Sequence, residues 1–243
     1  MSRNSVRAAF FDVDGTLTSP SSMLRFLAFY CEAMGRSRRE FQEQTSELRA
    51  MAAIGCGREA IHRAYFANLQ GLDVGTVSAV AQSWFAAETA SGAYYHAPTV
   101  DRLRRHQQRG DHIAILSGSF PALVLPMARD LGVEDVQCTQ PEMIHGRYTG
   151  GFEGAPLIGP AKGAAARRAA LRAGLDPGNC AAYADHLSDL PMLEAVGKAY
   201  VVGGGTALRA LARARGWRLL DGPPEQPTPH QQAGMAMAPR LAV

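Results

Sequence analysis

Short apolar runs and amphipathic segments alternate over much of this chain of 243 residues. The first run, residues 6–11, combines aliphatic and aromatic side chains and predicts a buried strand that ends at Asp12. The runs at residues 112–116 and 180–184 predict two further strands. Helix and strand patterns alternate from residue 92 to about residue 220, as the parallel sheet of an α/β protein requires.

A different pattern fills residues 19–91, where only helices are predicted. Residues 23–34 have the spacing of an amphipathic helix, and Asp73 is expected to open the fourth helix of the segment. We therefore predict an all-helical insert between the first strand and the rest of the sheet. Residues 1–18 and 92–221 are expected to form the core.

Composition narrows the class of protein. With 47% hydrophobic and 19% charged residues, the chain resembles an ordinary soluble globular protein. The net charge of +3 is small and its arginines are scattered among acids, which predicts no nucleic-acid partner. No apolar segment has membrane-spanning length, so we expect a cytoplasmic protein without a membrane partner. Residues 222–243 hold five prolines and no periodic pattern, and are expected to be disordered.

Two acids follow the first predicted strand, Asp12 and Asp14, and Gly15 after them favours a sharp turn. Open α/β sheets bind ligands at the carboxyl ends of their strands. Two carboxylates this close repel each other, so a divalent cation or a shared proton is expected nearby. A solvated Asp–Gly turn is the alternative interpretation.

Three further places could carry chemistry. Ser117 and Gly118 follow the second strand, where a hydroxyl and backbone N–H groups at a helix start can bind an anion or simply cap the helix. Lys162, near another helix start, opposes the helix dipole, which suggests a phosphate or carboxylate neighbour, and a solvated helix lysine is the alternative. Asp185 and Asp189 follow a strand and could face one cation, or Asp185 could be a plain cap.

The order of these four sites resembles the motifs of the haloacid dehalogenase-like superfamily, over about residues 6–220. Residues 10–18 carry its Asp-x-Asp-x-Thr signature after a hydrophobic strand. The resemblance implies a Rossmann-like parallel sheet with helices on both faces and an inserted all-helical cap domain. It also implies that Asp12 is the nucleophile, which becomes an aspartyl-phosphate, and that Asp14 is the general acid and base.

The resemblance further assigns a ligand to each site residue. Phosphate contacts fall to Gly15, Ser117, Gly118 and Lys162. The expected cofactor is Mg²⁺, with ligands Asp12, Asp14 and Asp185 and support from Asp189.

The chain departs from the family in places. Ala184 and His186 replace the usual residues around Asp185, and the triple glycine 203–205 should loosen its loop without touching the main acids. An extended hairpin expected at residues 137–151 is similar to one in the phosphoserine-phosphatase-like branch. A phosphoserine-specific relative has a glutamate at the position equivalent to Ser21, so phosphoserine is disfavoured here.

These observations predict a Mg²⁺-dependent phosphatase acting on a small phosphorylated metabolite, such as a sugar or amino alcohol phosphate. We expect a monomer or homodimer. The alternatives are a phosphotransferase or mutase using the same aspartyl-phosphate, and a non-catalytic binding module. Four arginines of the insert could meet an acidic substrate or pair with its own glutamates: Arg25, Arg49, Arg58 and Arg63.

Overall fold

The structure is a computed structural model that describes residues 8–18 and 22–223. Its strands are β1 (Ala8–Phe11), β2 (His112–Ser117), β3 (Asp135–Cys138), β4 (Pro141–Ile144), β5 (Arg147–Phe152), β6 (Cys180–Ala184), β7 (Lys198–Val202) and β8 (Arg218–Leu220). Six of them form one parallel sheet in the order β3-β2-β1-β6-β7-β8. Strand β1 is central, with Phe11 opposite Ile115 of β2 and Tyr183 of β6.

The helices are α1 (Ser22–Ala33), α2 (Arg38–Ala53), α3 (Arg58–Ala67), α4 (Val74–Ala90), α5 (Ala97–Gln108), α6 (Pro121–Asp130), α7 (Gly159–Arg172), α8 (Leu190–Leu193) and α9 (Thr206–Ala214). Helices α1 to α4 follow one another between β1 and α5, and the described part of residues 19–91 contains no strand. Asp73 caps α4 by accepting a hydrogen bond from the Thr76 backbone N–H. The predicted helical segment is therefore present, while its status as a separate domain remains a prediction.

Helices cover both faces of the sheet, so its central strands are buried on both sides. Ala9 and Phe11 of β1 point to the cluster that we call the aromatic face, which includes Phe66, Phe120, Tyr183 and Tyr200. Ala8 and Phe10 point to the opposite cluster, the alanine face, which includes Ala166, Ala169 and Ala170 of α7. The predicted fold class is confirmed.

The helical segment is tied to the sheet at its ends. Thr18 and Tyr95 form an antiparallel bridge, and the His96 backbone N–H donates to the Leu17 carbonyl at 2.8 Å. Its helices also belong to the aromatic face, to which α1 contributes Phe26 and α4 contributes Trp84. The insert therefore shares one apolar cluster with the sheet.

The hairpin differs from its predicted bounds. It comprises β4 and β5 with Gly146 at φ 75° in the turn, so it begins at Pro141, because residues 137 and 138 belong to β3 of the main sheet. The Tyr148 backbone N–H donates to the Leu72 carbonyl at 3.0 Å, which joins the hairpin to the connection between α3 and α4.

Other predictions concern single features. Among the described residues, no helix is both long and apolar enough to cross a membrane. Residues 6 and 7 of the first predicted strand and residues 224–243 of the predicted tail lie outside the described residues. The free cysteines are Cys31, Cys56, Cys138 and Cys180, and all but Cys56 are buried.

Candidate active site

The loop after β1 places Asp12 at the carboxyl edge of the sheet. The Asp12 backbone N–H donates to the Tyr183 carbonyl of β6 at 3.0 Å, which continues the pairing of the two strands. Gly15 turns the chain with φ 75°. A Cβ at Gly15 would lie 2.2 Å from Asp185 Oδ2, so only glycine lets this turn come so close to that carboxylate.

Lys162 lies between two of the acids. It is only 2% exposed, and its Nζ donates to Asp12 Oδ1 at 2.6 Å and to Asp189 Oδ1 at 2.8 Å. Burial alone would lower the pKa of Lys162, but the Asp12 and Asp189 carboxylates raise it above its ordinary value. Helix α7 therefore presents a buried, charged lysine to the acids, in its first turn behind Pro160.

Asp12, Asp185 and Asp189 form a compact group of acids, each offering a carboxylate oxygen within 4.8 Å of the others. Burial, reinforced by the neighbouring Asp12 and Asp189 charges, raises the pKa of Asp185 to about 8. Burial likewise raises the pKa of Asp189. One lysine cannot balance three carboxylates, and a hard divalent cation with oxygen ligands is the partner that such a group fits.

Asp14 has a different environment. Its carboxylate accepts hydrogen bonds from the Ser22 backbone N–H at 2.7 Å and from Ser22 Oγ at 2.9 Å, at the first residue of α1. Burial raises the pKa of Asp14, although the bonds from Ser22 oppose the shift. Of the three predicted metal ligands, the structure brings Asp12 and Asp185 together. Asp189 completes their group and Asp14 lies outside it.

Ser117 and Gly118 end β2 in a tightly packed turn. Ser117 Oγ is buried and accepts a hydrogen bond from the Ser119 backbone N–H at 3.1 Å. A Cβ at Gly118 would lie 2.8 Å from His62 Nε2 and 2.7 Å from Ile158 Cγ2, so a larger residue would displace its neighbours. The predicted phosphate turn therefore has a helix α3 side chain directly over it.

Sequence reasoning missed His62. This side chain is buried, and its Nε2 faces the backbone of Gly118. Burial and the nearby Arg58 guanidinium lower the pKa of His62 to about 4. The available signal was its position four residues after Arg58, which places both on one side of α3.

The helices of the insert and the turn after β6 line a cavity of about 310 Å³ that opens to solvent, and its lining includes Arg58, His62 and His186. Arg63 pairs with Glu59 at 2.7 Å, Arg25 pairs with Glu88, and Arg49 lies over the Phe41 ring. Arg58 makes no ion pair within 4.0 Å among the described residues, and its charge lowers the pKa of Asp14 and Asp185 against the effect of burial.

Two departures from the family pattern lie beside the acids. His186 is exposed, and its Nδ1 accepts a hydrogen bond from the Ser188 backbone N–H at 3.0 Å, which caps the short turn before Asp189. The triple glycine passes close to the backbone of Asp185. Gly204 has φ 74°, and a Cβ there would lie 3.3 Å from the Asp185 carbonyl oxygen.

Acids at the carboxyl edge of a parallel sheet, with a buried lysine among them, define a Rossmann-like α/β enzyme. The sequence model of haloacid dehalogenase-like hydrolases matches residues 9–194, and the chain belongs to that family.

Individual relatives agree with this assignment. The chain is 31% identical over 222 residues to a phosphoserine phosphatase of Mycobacterium tuberculosis, covering 88% of this chain and 70% of that protein. A crystal structure of a Bordetella pertussis protein of unknown function matches with a TM-score of 0.79 and 26% identity, covering 90% and 99% of the two chains. A structure described as a phospho-aspartyl intermediate analogue of phosphoserine phosphatase shares the fold, with a TM-score of 0.64 and 17% identity over 96% and 99%. The predicted family and enzyme class, a haloacid dehalogenase-type phosphatase, are confirmed.

Proposed function

We propose that this chain hydrolyses a small phosphate monoester in two steps through an aspartyl-phosphate on Asp12, with Mg²⁺ as cofactor. The arrangement of Asp12, Lys162 and Asp189 carries the proposal. The buried Lys162 ammonium donates to Asp12 Oδ1 at 2.6 Å and offsets its negative charge in a site where burial opposes charge. An ionised carboxylate at the open edge of the sheet is the form that attacks phosphorus.

The metal site follows from the charge of the acids. We assign Asp12 and Asp185 as the residues that would hold Mg²⁺, with Asp189 positioned by Lys162 at 2.8 Å. Because burial and like charges raise the pKa of Asp185 to about 8, its ionised form at neutral pH needs an added cation. When bound, Mg²⁺ would offset the charges of these carboxylates and of the phosphate oxygens.

In the first step, an Asp12 oxygen forms a bond to phosphorus as the bond from phosphorus to the ester oxygen breaks. Asp14 gives its proton to the departing alcohol oxygen. Burial raises the pKa of Asp14, which favours the protonated form that this role requires. In the second step, Asp14 takes a proton from water, and the water oxygen displaces Asp12 from phosphorus to release phosphate.

The remaining residues hold the phosphoryl group. Lys162, the Ser117 hydroxyl and the backbone N–H groups of the turns at Gly15 and Gly118 would donate to its oxygens as charge develops. Glycine at both positions lets the two turns lie against Asp185 and His62, because a Cβ at either position would collide with these neighbours. Arg58 is the insert arginine that we assign to the substrate, since the charges of Arg25 and Arg63 are paired within the insert.

The test compares Asp12→Asn with Asp101→Asn, a matched change at an exposed aspartate of α5. With Mg²⁺ and an aryl phosphate, we expect Asp12→Asn to lose roughly 10⁴-fold or more in kcat and Asp101→Asn to keep the wild-type rate. EDTA should abolish the wild-type activity. Acid quenching should trap phosphorylated protein with wild type and none with Asp12→Asn.

Two results would contradict the proposal. Full activity of a clean Asp12→Asn preparation would exclude this nucleophile. Release of the aryl alcohol that requires an added alcohol acceptor and yields the phosphate ester of that acceptor, without inorganic phosphate, would show a phosphotransferase instead of a hydrolase.

A further inference from the structure

The cavity beside the candidate active site has two chemically different parts. Apolar side chains from three helices form most of its wall, and they are Met23, Leu24, Leu48, Ala52, Ile61 and Tyr65. The Tyr65 hydroxyl donates to the Met23 carbonyl at 2.9 Å, so the polar atom of this tyrosine already has a partner. The wall therefore offers hydrocarbon and the face of an aromatic ring.

The described polar lining of the cavity consists of three nitrogen-bearing side chains and the Cys56 thiol. Arg58, His62 and His186 lie there, and no carboxylate is found among the described lining residues. His186 directly follows Asp185 in the chain and His62 lies against Gly118, so this part of the cavity lies beside the candidate active site. His62 lies in this part of the cavity with its Nε2 against the backbone of Gly118, the turn predicted to bind phosphate.

We propose that the substrate is a phosphate monoester of an apolar alcohol, whose hydrocarbon part occupies this cavity while its phosphate lies at Asp12. The inference rests on the proposed phosphatase function and narrows its substrate class. An ammonium group in the cavity would meet Arg58 and no counter-charge, and the hydroxyls of a sugar would lose water against an apolar wall. The volume of about 310 Å³ suits an aryl or medium-length alkyl group.

The first experiment measures kcat/KM for unbranched alkyl phosphates from methyl to octyl, with phosphoserine and a hexose phosphate as polar comparators. We expect kcat/KM to rise roughly three- to fourfold per methylene until the cavity is filled. Hexyl phosphate should exceed both comparators by about tenfold or more. Unbranched alkylphosphonates, which are not hydrolysed, should bind more tightly with length in calorimetry.

A pair of variants locates the effect in the cavity. Ala52 and Ala53 are both exposed on the last turn of α2, but only Ala52 lines the cavity. Ala52→Glu should lower kcat/KM for hexyl phosphate by about fivefold or more and raise it for an amino alcohol phosphate. Ala53→Glu, which adds the same charge beside it, should change neither value.

The possible failures are distinguishable. Turnover of methyl phosphate that does not increase with chain length, or a preference for phosphoserine, would overturn the apolar substrate and leave the phosphatase reaction intact. Equal effects of Ala52→Glu and Ala53→Glu would also overturn it. Absence of phosphate release from every monoester tested would overturn both proposals.

Discussion

The two faces of the sheet are packed with side chains of different sizes. The alanine face consists largely of small side chains, and there α7 and α8 approach so closely that a Cβ on Gly163 would lie 2.6 Å from the Pro191 carbonyl oxygen. The aromatic face is built from large rings, and Phe120 meets Phe26 and Phe66 edge-on with centroids 6.1 and 5.8 Å apart. Helices therefore pack closely on the alanine face, whereas a layer of large rings fills the aromatic face.

This difference separates two tasks. Small residues let the start of α7 approach the central strand, so that Lys162 reaches Asp12 at 2.6 Å. Large rings extend the opposite cluster beyond the sheet until it includes the insert, which carries the cavity. The alanine face positions Lys162, and the aromatic face holds the insert beside the candidate site.

The largest stability change is expected from shortening a ring on the aromatic face. Phe120→Ala should lower the free energy of unfolding by about 3–5 kcal/mol, because this fully buried ring contacts both the insert and the sheet side of the cluster. Urea denaturation measures the change. Phe41→Ala, at a partly buried ring of α2, is the matched control and should lose less than half as much. Equal losses would mean that Phe120 does not join the two parts.

The sequence predicted most of the sheet but not its edge. Buried strands such as β2 and β6 are continuous apolar runs and were recognised. Strand β3 is a four-residue edge strand that reads Asp-Val-Gln-Cys and is only partly buried, so it leaves no comparable pattern. The sequence pattern consequently assigns Gln137 and Cys138 to the hairpin and predicts no strand at residues 135 and 136.

The sequence predicted the residues of the candidate site that lie in local motifs. Lys162 stood out because it conflicts with the dipole of its own helix, and the structure gives it two carboxylate neighbours. The bonds from Ser22 to Asp14, and the approach of His62 to Gly118, depend on where α1 and α3 pack against the core. Such long-range contacts have no signature in a single sequence.

The second prediction concerns the loss of stability at low pH that a histidine beside the aromatic face should cause. His62 belongs to that side of the molecule, beside Phe66, and burial and the Arg58 charge lower its pKa to about 4 from an ordinary value of 6.5. Between these two values the unfolded chain binds a proton that the folded protein does not, so stability falls as the pH drops from 6.5 to 4. The full effect is up to about 3 kcal/mol.

Urea denaturation at pH 7 and pH 4 measures this term. The loss of stability between the two pH values should be smaller in His62→Gln than in wild type. His145→Gln, in the exposed turn of the hairpin, should retain the wild-type loss. An unchanged loss in His62→Gln would mean that the histidine is not held neutral by its surroundings.

The smallest expected effect comes from enlarging a residue on the alanine face. Ala166 of α7 is fully buried, and Leu at this position must force α7 away from the sheet. We expect Ala166→Leu to cost about 1–3 kcal/mol of unfolding free energy. Ala87→Leu, at an exposed position of α4, should change the unfolding free energy by less than about 0.5 kcal/mol.

The Ala166→Leu substitution should also affect activity. Because moving α7 also moves Lys162 away from Asp12, Ala166→Leu should lower kcat more than Phe41→Ala does, although both proteins fold. Wild-type kcat in Ala166→Leu would show that the close packing of this face serves stability alone.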